Sequence, residues 1–147
     1  MSLRVIDKVT SSGYIEVKSG KFKINNNTIA NPSGIEYEEH TLSRAWNDAS
    51  GIQHKINYRL RRKFMIKYDV IGKESLNDIY DILNGQRIET GSTRFNVEIP
   101  YITGQLTTVV EWGTPFKVEC IDNKLDLYTL EISLIEPIGV ALPHNEN

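Results

Sequence analysis

The chain has 147 residues, near the commonest size for a single domain, and its seven Tyr, four Phe and two Trp give enough bulk for one core. A net charge of −2 excludes the uniformly basic surface that coats nucleic acid or an anionic membrane. The single cysteine, Cys120, excludes an intramolecular disulfide, and the lack of any window of about 18 apolar residues argues against a membrane span or a secretory leader.

Taken in chain order, residues 1–20 read as an N-terminal arm with strand signals at 3–9 and 14–17, broken by Ser11-Ser12-Gly13 and Ser19-Gly20. Short strand candidates follow at 21–24 and 35–40. Residues 42–50 fit neither the helical nor the strand period, and they read as a long hairpin tip joining strand 35–41 to strand 52–60. The strongest signal runs over 52–70, where even positions from Ile52 to Val70 are mostly apolar and odd ones include Lys55, Arg59, Arg61, Lys63 and Lys67. At about 3.3 Å per residue such a strand spans roughly 60 Å, more than a small domain's width. Arg62 interrupts the apolar positions, so a bulge or corner is expected between Arg59 and Lys63, sparing an inward arginine unpaired burial.

One helix is expected over about 75–85, with Ser75 as cap and Asp78 three residues on. Leu76, Ile79, Tyr80 and Leu83 form a single buried stripe, and Gly85 is placed to end the helix in the left-handed conformation. One stripe covers one sheet face, so this helix plugs or flanks a sheet. Alternation returns at Phe95, Val97 and Ile99, turns at 101–104, and continues to Trp112 as a hairpin. Gly113-Thr114-Pro115 ends it. A further strand over 116–120 then turns at Asp122-Asn123 into 125–135, and residues 137–147 read as an extended tail. The fold class is mainly β (α+β): a β-sandwich or partly open barrel over 21–136, with one flanking helix and a long β-hairpin.

The search for chemistry returns little. Of the three histidines, His40 follows Glu38 and Glu39, but adjacent strand residues point to opposite faces, so Glu39 and His40 do not converge on one ion; no metal is expected. His54 falls among the apolar positions and reads as a hydrogen-bonded core or interface residue. Cys120 has no base beside it in sequence and reads as a small buried hydrophobe. No nucleophile elbow, phosphate loop, dinucleotide fingerprint or zinc-protease motif is present, so neither an enzyme, a cofactor nor a small-molecule substrate is expected.

Charge and aromatics are more informative. By alternation Lys55, Arg59, Arg61, Lys63 and Lys67 line one face of the long strand, while Glu36, Glu38 and Glu39 lie on what should be the neighbouring strand. A solvated face is the plainest explanation. The sharper one is a contact between subunits, and nucleic-acid binding ranks third because no aromatic ladder accompanies the stripe. Trp46 in a polar tip reads as an interface anchor, and Trp112 as core or interface.

The order of elements is that of a known group. Ser43-Arg44-Ala45, Asp48 and Gly51 precede the long strand and capped helix. Phe95-Asn96-Val97-Glu98-Ile99-Pro100-Tyr101 and a closing strand through Leu130-Glu131-Ile132-Ser133-Leu134-Ile135-Glu136 follow. Over about residues 20–136 this resembles small structural tail proteins of tailed bacteriophages and prophages (tail tube, distal tail and baseplate-like). The resemblance implies a ring-forming virion component with no catalytic residues, assembled in the bacterial cytoplasm. Its partners would be copies of itself and other tail proteins, and its long hairpin would reach the next subunit. No membrane or specific nucleic-acid contact is implied. The alternative is a small β-barrel binding module that contacts nucleic acid through the Arg59–Lys63 stripe.

Overall fold

The long alternating segment is one continuous strand. In a computed structural model, which describes residues 3–18, 20–112 and 116–142, it forms a hairpin with the strand before it: β4 (Gly34–Asn47) and β5 (Gln53–Gly72) pair antiparallel from Gly34↔Lys67 to Asn47↔Gln53. Before them come β1 (Arg4–Glu16), β2 (Lys23–Ile24) and β3 (Asn27–Thr28). After them come α1 (Lys73–Thr90), β6 (Arg94–Tyr101), β7 (Gly104–Trp112), β8 (Lys117–Asp122), β9 (Leu127–Ile135) and β10 (Val140–Ala141).

These strands make a single antiparallel sheet in the order β1-β4-β5-β9-β7-β6-β2-β3, with β8 paired to the rest of β9 and β10 to β5. The sheet is open, and no ladder joins β1 to β3, so it is not a closed barrel. It nevertheless curls. Tyr101 on β6 lies edge-on to Tyr37 of β4 and Phe64 of β5, with ring centroids 5.3 and 5.6 Å apart, although β7 and β9 separate these strands in the sheet. The core fills the concave side, with Phe64, Ile66, Tyr68, Leu130, Ile132, Leu134, Phe95, Val97 and Ile99 from the strands and Leu76, Ile79 and Leu83 from the helix.

The helix differs from its expected form at both ends. It begins at Lys73 after Gly72, which caps it without a side-chain bond, so Ser75 lies inside the first turn. Gly85 is an interior residue, and Gly91, at φ 69°, supplies the left-handed end, its N–H donating to the Arg87 carbonyl at 2.9 Å. Sequence spacing favoured the earlier glycine because the apolar stripe stops at Leu83. The last two turns continue past the core, leaving Ile88 73% exposed. Tyr80 is also not in the stripe. It is 40% exposed and covers Phe116 edge-on at 5.5 Å.

Other boundaries move for reasons of register. Residues 1–20 are, over Arg4–Glu16, an edge strand paired along β4. Residues 42–50 are not a long tip, because β4 carries its ladder to Asn47 and only 48–52 turn. Asp122-Asn123 is not a two-residue turn. The chain turns over 123–126, with Asp126 at positive φ and the Asp122 carboxylate accepting the Lys124 and Leu125 N–H groups. Gly113-Thr114-Pro115 lies outside the described residues, as does the tail beyond Leu142; before that, Val140 and Ala141 pair with β5. Cys120 is exposed on β8 and not buried, because β8 pairs with β9 along one side and its residues from Lys117 to Ile121 are all exposed.

Candidate subunit interface

The expected bulge is displaced, and its displacement rearranges the surface. Leu42 pairs with Arg59 but Ser43 pairs with Asn57, so Tyr58 is the extra residue; the ladder from Arg59 to Lys63 is regular. Arg62 therefore does point inward. It is partnered there: its backbone N–H, Nε and Nη2 donate to the carboxylate of Glu136 at 2.8, 2.7 and 3.0 Å, and Glu136 is 2% exposed. The Thr108 hydroxyl donates to the same carboxylate. This buried carboxylate raises the Arg62 guanidinium still further above its ordinary value.

A bulge shifts the phase of alternation, and residues paired across an antiparallel ladder share a face. On β4 the odd residues Ile35, Tyr37, Glu39, Thr41, Ser43 and Ala45 lie on the core side. Their β5 partners are Ile66, Phe64, Arg62 and Leu60 below the bulge, then Asn57 and Lys55 above it. Lys55 therefore sits on the opposite face from Arg59, Arg61, Lys63 and Lys67, and the five basic residues do not form one stripe. β1 carries a matching irregularity, with Thr10 unpaired between Val9↔His40 and Ser11↔Glu39.

The four remaining cations share the outer face with Glu36 and Glu38, as complementary charges on adjacent strands should. The Lys67 ammonium donates to Glu36 at 2.7 Å, which raises its affinity for the proton, and Glu38 stands opposite Lys63 in register. Arg61 donates to Asp7 at 3.3 Å, and His40 bridges Asp7 and Glu38 at 2.8 and 3.3 Å. Arg59 donates to the Ile138 carbonyl at 2.7 Å. Glu39 lies on the core-side face, away from His40. Asp7, which the sequence reading missed, is the hub of this outer network; only the β1–β4 register brings it there. Among the described residues no group of three or more His, Cys, Asp or Glu side chains is arranged to hold a metal.

The tip has its own polar core. Asp48 Oδ1 accepts the Ser50 N–H and hydroxyl and the Ile52 N–H at 2.8 to 3.0 Å, while Oδ2 pairs with His54 Nε2 at 2.9 Å. Those bonds, the one to His54 foremost, hold the Asp48 carboxyl well below the usual carboxylate range. Trp46 stacks on the His54 ring at 5.5 Å, half-buried in its own strand pair. Trp112 ends β7 against Phe116, with the Arg87 guanidinium over its ring at 5.2 Å. The candidate residues thus divide between the outer face of the hairpin (Glu36, Glu38, Arg59, Arg61, Lys63, Trp46), its inner face (Lys55) and the far side of the sheet (Trp112).

No family model matches this chain, and neither do any curated protein or solved structure. No described helix is long and apolar enough to cross a membrane.

Proposed function

We propose that this chain is a structural subunit that assembles with copies of itself, at the tail of a bacteriophage or a phage-derived particle, using the β1-β4-β5 ribbon to reach its neighbour. One observation supports this most. From Glu38 outward on β4 and from Lys63 outward on β5, Ser43 and Ala45 are the only buried residues, so half of the longest hairpin contributes no large side chain to the chain's own core. Holding a ribbon of that length in order costs conformational entropy that a lone subunit recovers poorly. A neighbouring subunit would recover it. The virion setting rests on the likeness of element order to tail proteins.

Nucleic-acid binding through residues 59–63 has less support, because Arg61 and Arg62 already hold carboxylates and Arg59 a carbonyl. Light scattering over a concentration series, with negative-stain microscopy of the largest species, tests the proposal. Closed rings of uniform diameter that grow with concentration are expected. A chain that stays monomeric throughout and retains DNA with a steep salt dependence would overturn it.

A further inference from the structure

The two bulges do more than bend the ribbon. Below them its apolar side is the concave face of the sheet, with Ile35, Phe64 and Ile66. Above them β1 and β5 change phase, and β4 changes composition at the same level, so the apolar side chains come out on the opposite face. There Val5 pairs with Arg44 and Arg44 with Ile56; Trp46 pairs with His54; and the two rows next to the bulges mix apolar residues with charge, Asp7 pairing with Leu42 and Leu42 with Arg59, Val9 with His40 and His40 with Arg61. Val5 and Val9 are 63% and 45% exposed, as is Leu3 at 60% just before β1. The reverse side at this level carries Arg4, Lys8, Thr41, Asn47, Lys55 and Asn57 together with Ile6, Ser43, Ala45 and Leu60, of which Ser43 and Ala45 are buried and Ile6 and Leu60 half-buried. The exposed apolar side chains of the outer ribbon, Leu3, Val5 and Val9, therefore lie on the side turned away from its own core.

We infer that this outer apolar face packs against the same face of a second copy of the chain, two ribbons stacked as in a sandwich. The inference rests on the self-assembling role proposed above. One observation selects this occupant. The face is self-complementary in charge: Arg44 is exposed over Tyr58 and Asp7 lies one row away, so an antiparallel stacking sets each copy's arginine over the other's aspartate row. A heterologous contact needs a matching patch elsewhere; an isologous one does not.

The area sets the strength. Three strands about 4.8 Å apart and about six residues long present roughly 300 Å² per copy, well under the roughly 800 Å² per partner of a standard stable interface. The pair is therefore weak, closed and two-fold, and a ring needs a second contact to join such pairs.

Sedimentation equilibrium of the full chain from ~1 μM to ~1 mM tests this. The wild type should show a monomer–dimer step as its first association, before any larger ring, Leu3→Glu with Val5→Glu should weaken that step at least ~10-fold, and Ile88→Glu, a change at a more exposed residue, should leave it unmoved. Because charges on an edge strand can fray it, a second variant is read independently. Val5→Cys in a Cys120→Ser background should give a reducible covalent dimer, and Ile88→Cys in the same background should not. Self-association that persists unchanged in the Leu3/Val5 variant overturns the face assignment but leaves the assembling role standing. A wild type monomeric to ~1 mM overturns both. A monomer that instead binds phosphatidylcholine vesicles through Val5 also overturns the pairing.

Discussion

Arg62 and Glu136, 74 residues apart, form a buried ion pair in which the arginine gives three hydrogen bonds to one carboxylate and the Glu136 N–H returns one to the Arg62 carbonyl at 2.9 Å. The pair ties the middle of β5 to the end of β9 where the sheet changes partners, with β9 continuing onto β7.

Removing one partner leaves a buried charge, so Glu136→Ala should cost about 3 to 5 kcal/mol in urea denaturation. The double change Arg62→Met with Glu136→Leu should recover most of that loss. A double variant as unstable as the single one would show that the pair matters through shape and not charge.

The helix gives three substitutions of different sign. Leu83, 1% exposed, should cost about 2 to 5 kcal/mol as Ala. Gly85 is an interior helical residue with open space around its Cα, so Gly85→Ala should stabilise by about 0.5 to 1 kcal/mol. Gly91→Ala, at positive φ, should destabilise by about 1 kcal/mol. Thermal melts of the three variants check the order, and a destabilising Gly85→Ala would contradict the helix's length.

Alkaline pH should unfold the chain. Burial pushes the hydroxyl of Tyr68, which donates to the Ala30 carbonyl at 2.6 Å, above its ordinary value; burial and then the nearby Glu39 do the same for Tyr101. A folded-state value raised above the unfolded one means the contribution is whole below about pH 10 and falls as pH rises beyond it, where only the unfolded chain ionises freely. Stability measured from pH 8 to 11.5 should decline above pH 10. Tyr68→Phe should flatten that decline while lowering stability by about 1 kcal/mol at neutral pH.

The tip should loosen in acid. The Asp48 carboxyl is held below its ordinary value, so its contribution is present above about pH 4 and is lost as pH falls further. Amide exchange at Ser50 and Ile52 should quicken below pH 4, and Asp48→Asn should show the same fast exchange at pH 7.

Charge reversal separates the two faces of the ribbon. Arg59→Glu with Arg61→Glu breaks the contacts to the Ile138 carbonyl and Asp7, so amide exchange should quicken in β1 and β10 and assembly should weaken, while global stability moves by no more than about 1 kcal/mol. Lys55→Glu, on the other face, should leave β1 and β10 protected. Equal effects from both would mean that Lys55 shares the stripe after all.

The sequence alone determined the elements whose signal is local. Alternation from 52 to 70 made a strand, the spacing of Leu76, Ile79 and Leu83 made a helix with one buried side, and punctuation by Gly, Asn and Pro separated the rest. Helix length escaped it, because Gly85 and Gly91 are equally good terminators locally and only the folded chain shows that the left-handed end falls on Gly91. The surface escaped it for a stronger reason. A bulge leaves composition and period nearly untouched and is visible only in the cross-strand register, so Tyr58 and Thr10 moved Lys55 to one face, brought Asp7 to His40 and Arg61, and turned Val5 and Ile56 outward without a mark in the chain. Arg62 looked like an interruption to be avoided for the same reason: its counter-charge lies 74 residues away, and only the β5–β9 pairing puts it within reach.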